Sequence, residues 1–122
     1  MAENAYYEAA DQGDLGIIAV NNVVINRIHN GKFGRTPCSV IRQRTQTVCQ
    51  FSWQCEPHRP IRDRRTFRRT IKLAENVYLG NVSDVTRGAT YYHANYVKPQ
   101  WSHNGSLKKT RQIGLHVFYK MR

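Results

Sequence analysis

Glu8 is the acid whose neighbours best suit it to hold a proton. It stands in Tyr6-Tyr7-Glu8-Ala9-Ala10, among aromatic and apolar groups. A carboxyl in such company loses solvation, its pKa rises, and it keeps a proton near neutral pH. A general acid that protonates a glycosidic oxygen needs that state. The alternative is an exposed glutamate on a short helix, with no chemistry. A second constellation is Cys38, Cys49, Cys55 and His58, spaced C-x10-C-x5-C-x2-H. Three thiolates and an imidazole make a tetrahedral zinc shell. With the arginine run of residues 59–69 beside it, that shell suggests a basic module binding zinc and nucleic acid. The alternatives are free or buried thiols, or one disulfide joining Cys38 to Cys49 or Cys55, beside a solvated charged face. The spacing lacks the close C-x2-C pair of zinc ribbons. No ribonucleoprotein aromatic motif, GxxG clamp or helix-turn-helix accompanies the arginines, so no specific nucleic-acid partner is expected.

These residues must be positioned by a chain of 122 residues, the size of one domain, with 40% hydrophobic residues to build a core. That composition excludes a wholly disordered basic tail. The formal charge is +11, from 19 Lys+Arg against 8 Asp+Glu. Such a field favours polyanionic partners. The charge is unevenly placed: residues 1–14 hold Glu3, Glu8, Asp11 and Asp14 with no Lys or Arg, and residues 15–122 carry +15. The three other acids would help hold Glu8 protonated through like-charge repulsion. No run approaches the roughly 20 apolar residues of a membrane span. No signal peptide is visible, so synthesis in a cytoplasm is expected.

The elements follow from pattern and punctuation. Glu3–Ala10 reads as a short helix that Gly13 ends. Asp14 is the expected N-cap of a second helix, Leu15 to about Ile28, apolar on most of its circumference and therefore buried. Asn26 and Arg27 on it are expected to tie the fold together. Arg35–Arg44 is a third helix, with Pro37 in its first turn and Val40 and Ile41 as anchors. Thr45–Trp53 reads as extended or loop. Asp63–Leu79 is a helix whose apolar stripe is Phe67, Ile71, Ala74 and Tyr78, with Gly80 capping it. Thr90–Val97 is β-like, Asn104-Gly105 is a turn signal, and Gln112–Lys120 alternates like one strand. The fold class is α+β: mostly helical, with a small late antiparallel sheet.

Six blocks in order resemble the spore cortex-lytic enzyme and cell-wall hydrolase family. They are Ala2-Glu3-Asn4-Ala5-Tyr6-Tyr7-Glu8-Ala9 with the Gly16–Ile28 helix, Thr36-Pro37-Cys38-Ser39-Val40-Ile41, Cys49-Gln50-Phe51-Ser52-Trp53, Gly88-Ala89-Thr90-Tyr91-Tyr92-His93-Ala94, Val97-Lys98-Pro99-Gln100-Trp101, and Ile113-Gly114-Leu115-His116-Val117-Phe118-Tyr119. The resemblance implies a lysozyme-like domain acting on peptidoglycan glycan strands, with Glu8 as the catalytic acid. It implies that Gln50, Phe51, Ser52 and Trp53, with Tyr92 and His93, line the groove. Phe51 and Trp53 would stack on sugars, and Gln50 and Ser52 would hydrogen-bond them. Two departures stand out. The family's Glu-Ala-Arg-Gly-Glu is Glu8-Ala9-Ala10-Asp11-Gln12 here, and its Ile-Gly-Asn-His is Ile113-Gly114-Leu115-His116.

With Glu8 as the one acid in a matched motif, lytic transglycosylation of the MurNAc–GlcNAc bond is the expected reaction. Asp11 or Asp14 as a second carboxylate would permit muramidase-type hydrolysis instead. No cofactor or metal is called for. Further expectations are a monomer, a basic surface adhering to anionic wall polymers, action on the cell wall, and a form that suits a phage endolysin.

Overall fold

The computed structural model describes residues 1–42, 60–103 and 105–122. The extended segment expected over Thr45–Trp53 lies outside the described residues. The described elements run in the order α1 (Ala2–Ala9), a 3-10 turn (Ala10–Gln12), α2 (Gly13–Asn30), α3 (Pro37–Ile41), α4 (Arg64–Tyr78), β1 (Tyr91–Ala94), a second 3-10 turn (Gln100–His103), β2 (Leu107–Ile113) and β3 (His116–Met121). Helices come first and a small antiparallel sheet follows, the expected α+β arrangement.

Helix α2 is the central element, with α1, α3 and α4 packed against it. Its small and β-branched residues Ala19, Val20, Val23 and Val24 are fully buried, so neighbouring elements approach closely on several sides. It starts one residue before the expected cap. Gln12 occupies the N-cap position and Asp14 lies in the first turn. Asp14 is instead ion-paired with Arg69 of α4. Gly31 closes the helix in the left-handed conformation, φ 82°, which costs glycine no Cβ clash.

The polar residues of α2 stitch the fold, as the sequence suggests. Asn22 Oδ1 accepts from the Val85 amide at 3.1 Å. Asn26 Nδ2 donates to Asp84 Oδ2 and to the Ala89 carbonyl, both at 2.9 Å. Arg27 Nε donates to the Thr90 carbonyl at 2.6 Å. The Arg27 guanidinium also lies over the rings of Phe33 and Tyr91, 4.6 and 5.3 Å from their centroids. Together they clamp residues 84–90, the approach to β1.

Thr36 caps α3 through a reciprocal box with Ser39, and Val40 and Ile41 are its buried anchors. In α4 the apolar stripe is rotated from the expected one. Thr70, Ala74 and Val77 are buried, whereas Ile71 and Tyr78 are 42% and 60% exposed. Val77 and Leu73 meet the core in their place, and Leu73 packs beside Ile17 and Val20. Thr70 is tolerated inside because its hydroxyl donates to the Thr66 carbonyl at 2.8 Å.

The strand order is β1-β3-β2, all antiparallel. The segment read as one strand, Gln112–Lys120, is the end of β2, a turn at Gly114-Leu115, and β3. Gly114 makes the turn at φ 57°, a conformation the apolar alternation does not reveal. Phe118 is fully buried against Ala19, Val23, Ala89 and Ile113. Among the described residues three buried clusters form, and Tyr92 packs against each of them.

Candidate active site

Glu8 sits near the end of α1, half-buried, where the chain leaves the α-helix for the Ala10–Gln12 turn. Ala5 and Ala9 on the same helix are fully buried, so packing fixes the side from which Glu8 projects. Strand β1 places the Tyr92 side chain beside it, close enough for the Glu8 carboxylate to act on the phenol. Burial pushes the Tyr92 phenol well above its ordinary value, and the nearby Glu8 carboxylate pushes it further. Tyr92 therefore keeps its proton beside Glu8. Arg27 is drawn the other way. Burial lowers its pKa, while Tyr92, Tyr91 and Glu8 help hold its charge. The like-charge surroundings expected for Glu8 lose one member, because Asp14 is compensated by Arg69.

A cleft of about 790 Å³ opens beside Glu8, lined also by Tyr6, Tyr7, Asp11, Gln12, Arg62, Ala94, Tyr96, Leu115 and His116. Of the two tyrosines, Tyr6 has its ring edge-on to Tyr7 and Phe67, each with centroids 5.6 Å apart. Gln12 Oε1 accepts from the Leu115 amide at 2.8 Å, fastening the β2–β3 turn to the α1–α2 junction. A Cβ at Gly114 would lie 2.5 Å from that same oxygen, so a larger residue there would displace the Gln12 side chain. His116, next in the chain, is 7% exposed and edge-on to Tyr92 at 5.1 Å. Burial lowers its pKa against the opposing pull of Asp11, and His93 lowers it further. Its Nδ1 is buried with no hydrogen-bond partner among the described residues.

The expected groove pair Tyr92 and His93 do not share a side. Successive strand residues point to opposite faces, and in the register Tyr92 pairs with Phe118 while His93 pairs with Val117. His93 lies on the face covered by Trp101. Its Nδ1 is 2.7 Å from the Ala94 carbonyl and must donate to it, which leaves Nε2 to accept from the Tyr119 hydroxyl at 2.9 Å. Its ring stacks on Tyr119 at 5.3 Å and meets Trp101 at 5.6 Å. Both ring nitrogens are thus committed to the sheet. Gln50, Phe51, Ser52 and Trp53 lie outside the described residues, as do Cys49, Cys55 and His58. Cys38 is exposed on α3. Among the described residues no cluster of metal ligands forms, and no helix is long and apolar enough to cross a membrane.

Sequence reasoning missed the cleft roles of Gln12, Tyr96, Leu115 and His116. The signal for the last two was Gly114, which turns the chain back and brings them to the cleft.

A family model of cell wall hydrolases matches residues 11–119. The chain belongs to the cell wall hydrolase family. As a member it is an enzyme of peptidoglycan degradation, acting on the wall. Two solved structures share its fold. The catalytic domain of SleB from Bacillus anthracis, described as a germination-specific lytic transglycosylase, is 24% identical with a TM-score of 0.71, covering 98% of this chain and 90% of that one. The catalytic domain of the Bacillus cereus SleB protein is 22% identical with a TM-score of 0.69, covering 98% and 86%. No curated protein matches the chain. The family match begins at Asp11, so the case for Glu8 rests on α1, Tyr92 and the cleft.

Proposed function

We propose that this cell wall hydrolase is a lytic transglycosylase that cleaves the MurNAc–GlcNAc β-1,4 bond, with Glu8 as general acid and then general base. One observation carries the reading: Glu8 lines the cleft with the Tyr92 phenol of strand β1 beside it. In the first step the Glu8 proton passes to the glycosidic oxygen as the C1–O bond breaks, and the GlcNAc side leaves with a free 4-hydroxyl. In the second the Glu8 carboxylate takes the proton of the muramoyl C6 hydroxyl as O6 bonds to C1. No water is consumed, and one carboxyl serves both steps. Tyr92 acts through Glu8 as a positioning residue. His93 acts through Tyr119, holding β1 in place. Gln50, Phe51, Ser52 and Trp53 keep the sugar-binding roles that the family resemblance gives them.

Asp11 favours a second reading, because it too lines the cleft. As a base it would direct water to C1 and give hydrolysis. Product mass separates the two: an anhydro end is one water lighter than a reducing end. Digests of purified peptidoglycan are expected to yield anhydro ends, unchanged in kind by Asp11→Asn. Reducing ends alone, lost with Asp11→Asn, overturn the transglycosylase in favour of the muramidase.

The basic surface supports adhesion to anionic wall polymers. Arg64, Arg65, Arg68 and Lys72 are exposed on α4. On the hairpin Lys108 and Lys120, both exposed, are directly opposed. Like charges so placed repel, and an anionic partner relieves that repulsion.

A further inference from the structure

Tyr96 is the most exposed large hydrophobic side chain among the described residues, at 81%. It lies on the rim of the Glu8 cleft, not on a remote surface. It is also rigidly mounted. The Val97 amide donates to the Ala94 carbonyl at 3.0 Å, closing a tight turn with Tyr96 in its middle. The Asn95 amide donates to the Leu115 carbonyl at 2.7 Å, tying that turn to the β2–β3 turn. Leu115 lines the same cleft and is 46% exposed, and Gln12 fastens it from the other side. Two apolar side chains, held out in water by three hydrogen bonds to their backbone turns, line the same cleft as the Glu8 carboxyl. Single exposed apolar residues need no explanation, but neighbouring ones at a cleft mark a ligand surface. No other ring contacts Tyr96 among the described residues, whereas the Tyr6 ring is occupied by Tyr7 and Phe67.

We infer that Tyr96, backed by Leu115, is a stacking platform for a pyranose ring of the glycan strand, a subsite flanking the scissile bond. The ligand class is a β-1,4-linked N-acetylated amino sugar. Its C–H face is apolar and lies flat on an aromatic ring, while its hydroxyls stay wet at the open rim. This deepens the Glu8 reading and rests on it for the direction in which the strand runs. Tyr96 touches the sugar but no reacting atom, so it governs binding more than turnover.

The test uses the full chain and peptidoglycan stripped of its anionic polymers, at high salt to suppress charge adhesion. Binding is measured by co-sedimentation in the Glu8→Gln background, and half-saturation in otherwise wild-type enzyme. Tyr96→Ala is expected to weaken both about tenfold, with a smaller change in maximal rate. Tyr96→Phe, which keeps the ring, restores most of the affinity. The melting temperature of Tyr96→Ala stays within about 3 °C of the parent because the side chain is exposed. The inference is overturned if Tyr96→Ala binds within about twofold of the parent. It is also overturned if Tyr96→Phe loses as much as Tyr96→Ala, or if neither readout saturates. Glu8→Gln that still lyses peptidoglycan, with Tyr96→Ala weak in binding, overturns the Glu8 reading and leaves the platform standing. The reverse pattern removes the platform and leaves Glu8.

Discussion

Tyr92 links the core to the chemistry at the scale of single residues. Its ring packs against all three buried clusters, and its phenol lies beside Glu8. Tyr92→Phe keeps the packing and removes the donor. A hydroxyl that donates to the carboxylate formed as Glu8 gives up its proton contributes about 1.5–3 kcal/mol, so lysis is expected to fall about tenfold or more. The pH–rate limb governed by Glu8 should move upward, because the lost donor favoured the carboxylate form. A purely structural Tyr92 would lower the melting temperature and leave that limb in place. Glu8 was legible as a candidate from its aromatic and apolar neighbours. The separation of Tyr92 from His93 follows from strand parity once Tyr91–Ala94 is known to be paired. The commitment of both His93 nitrogens was not legible, because Tyr119 is distant in sequence.

The loop that precedes β1 shows how an element is set from afar. Asp84 accepts from Asn26 Nδ2, from the Thr86 amide and hydroxyl, and from the Gly88 amide. Burial works to raise its pKa, but the bonds from Thr86, Asn26 and Gly88 outweigh it and hold the carboxyl below the usual range. The sign follows: this contribution is full above the unfolded value and is lost as pH falls through the lower folded one. Asp84→Asn is expected to cost roughly 1–2 kcal/mol at neutral pH, reduced by solvent access to the carboxylate. The gap should narrow below about pH 4, as read by denaturant melts across pH. An equal gap at pH 3 and pH 7 would contradict it. The helices were legible from periodicity, although the N-cap of α2 is Gln12 and not the expected Asp14, and Asn26 and Arg27 as ties from their place on an apolar helix. The β2–β3 turn was not, because alternation of Ile113, Leu115, Val117 and Tyr119 runs through Gly114 without a break. The face of α4 was misjudged because Phe67, Ile71, Ala74 and Tyr78 form as regular a stripe as the buried Thr70, Ala74 and Val77; only the partners α1 and α2 decide between them.

At the scale of the molecule the charge asymmetry divides the labour. Glu3, Glu8, Asp11 and Asp14 all fall in residues 1–14, and the rest of the chain carries +15. Asp14 spends its charge on Arg69, which holds α2 to α4. Asp11 and Glu8 remain at the cleft, with exposed basic side chains on α4 and the hairpin. Screening shortens to about 3 Å at 1 M salt. Lysis of intact walls is therefore expected to fall several-fold from low to high salt, and less on peptidoglycan stripped of anionic polymers; equal falls on both would contradict wall adhesion. The fold class was readable from helices followed by strands, and the family from the order of six blocks. The cleft itself was not, since it joins α1, residues 60–62, β1 and the β2–β3 turn. The central claim is that Glu8 drives cleavage of the glycan strand. It is tested most directly by a peptidoglycan zymogram of the wild type beside Glu8→Gln, with matched circular dichroism. Clearing by the wild type and none by a folded Glu8→Gln is the predicted result. Equal clearing by both contradicts the account.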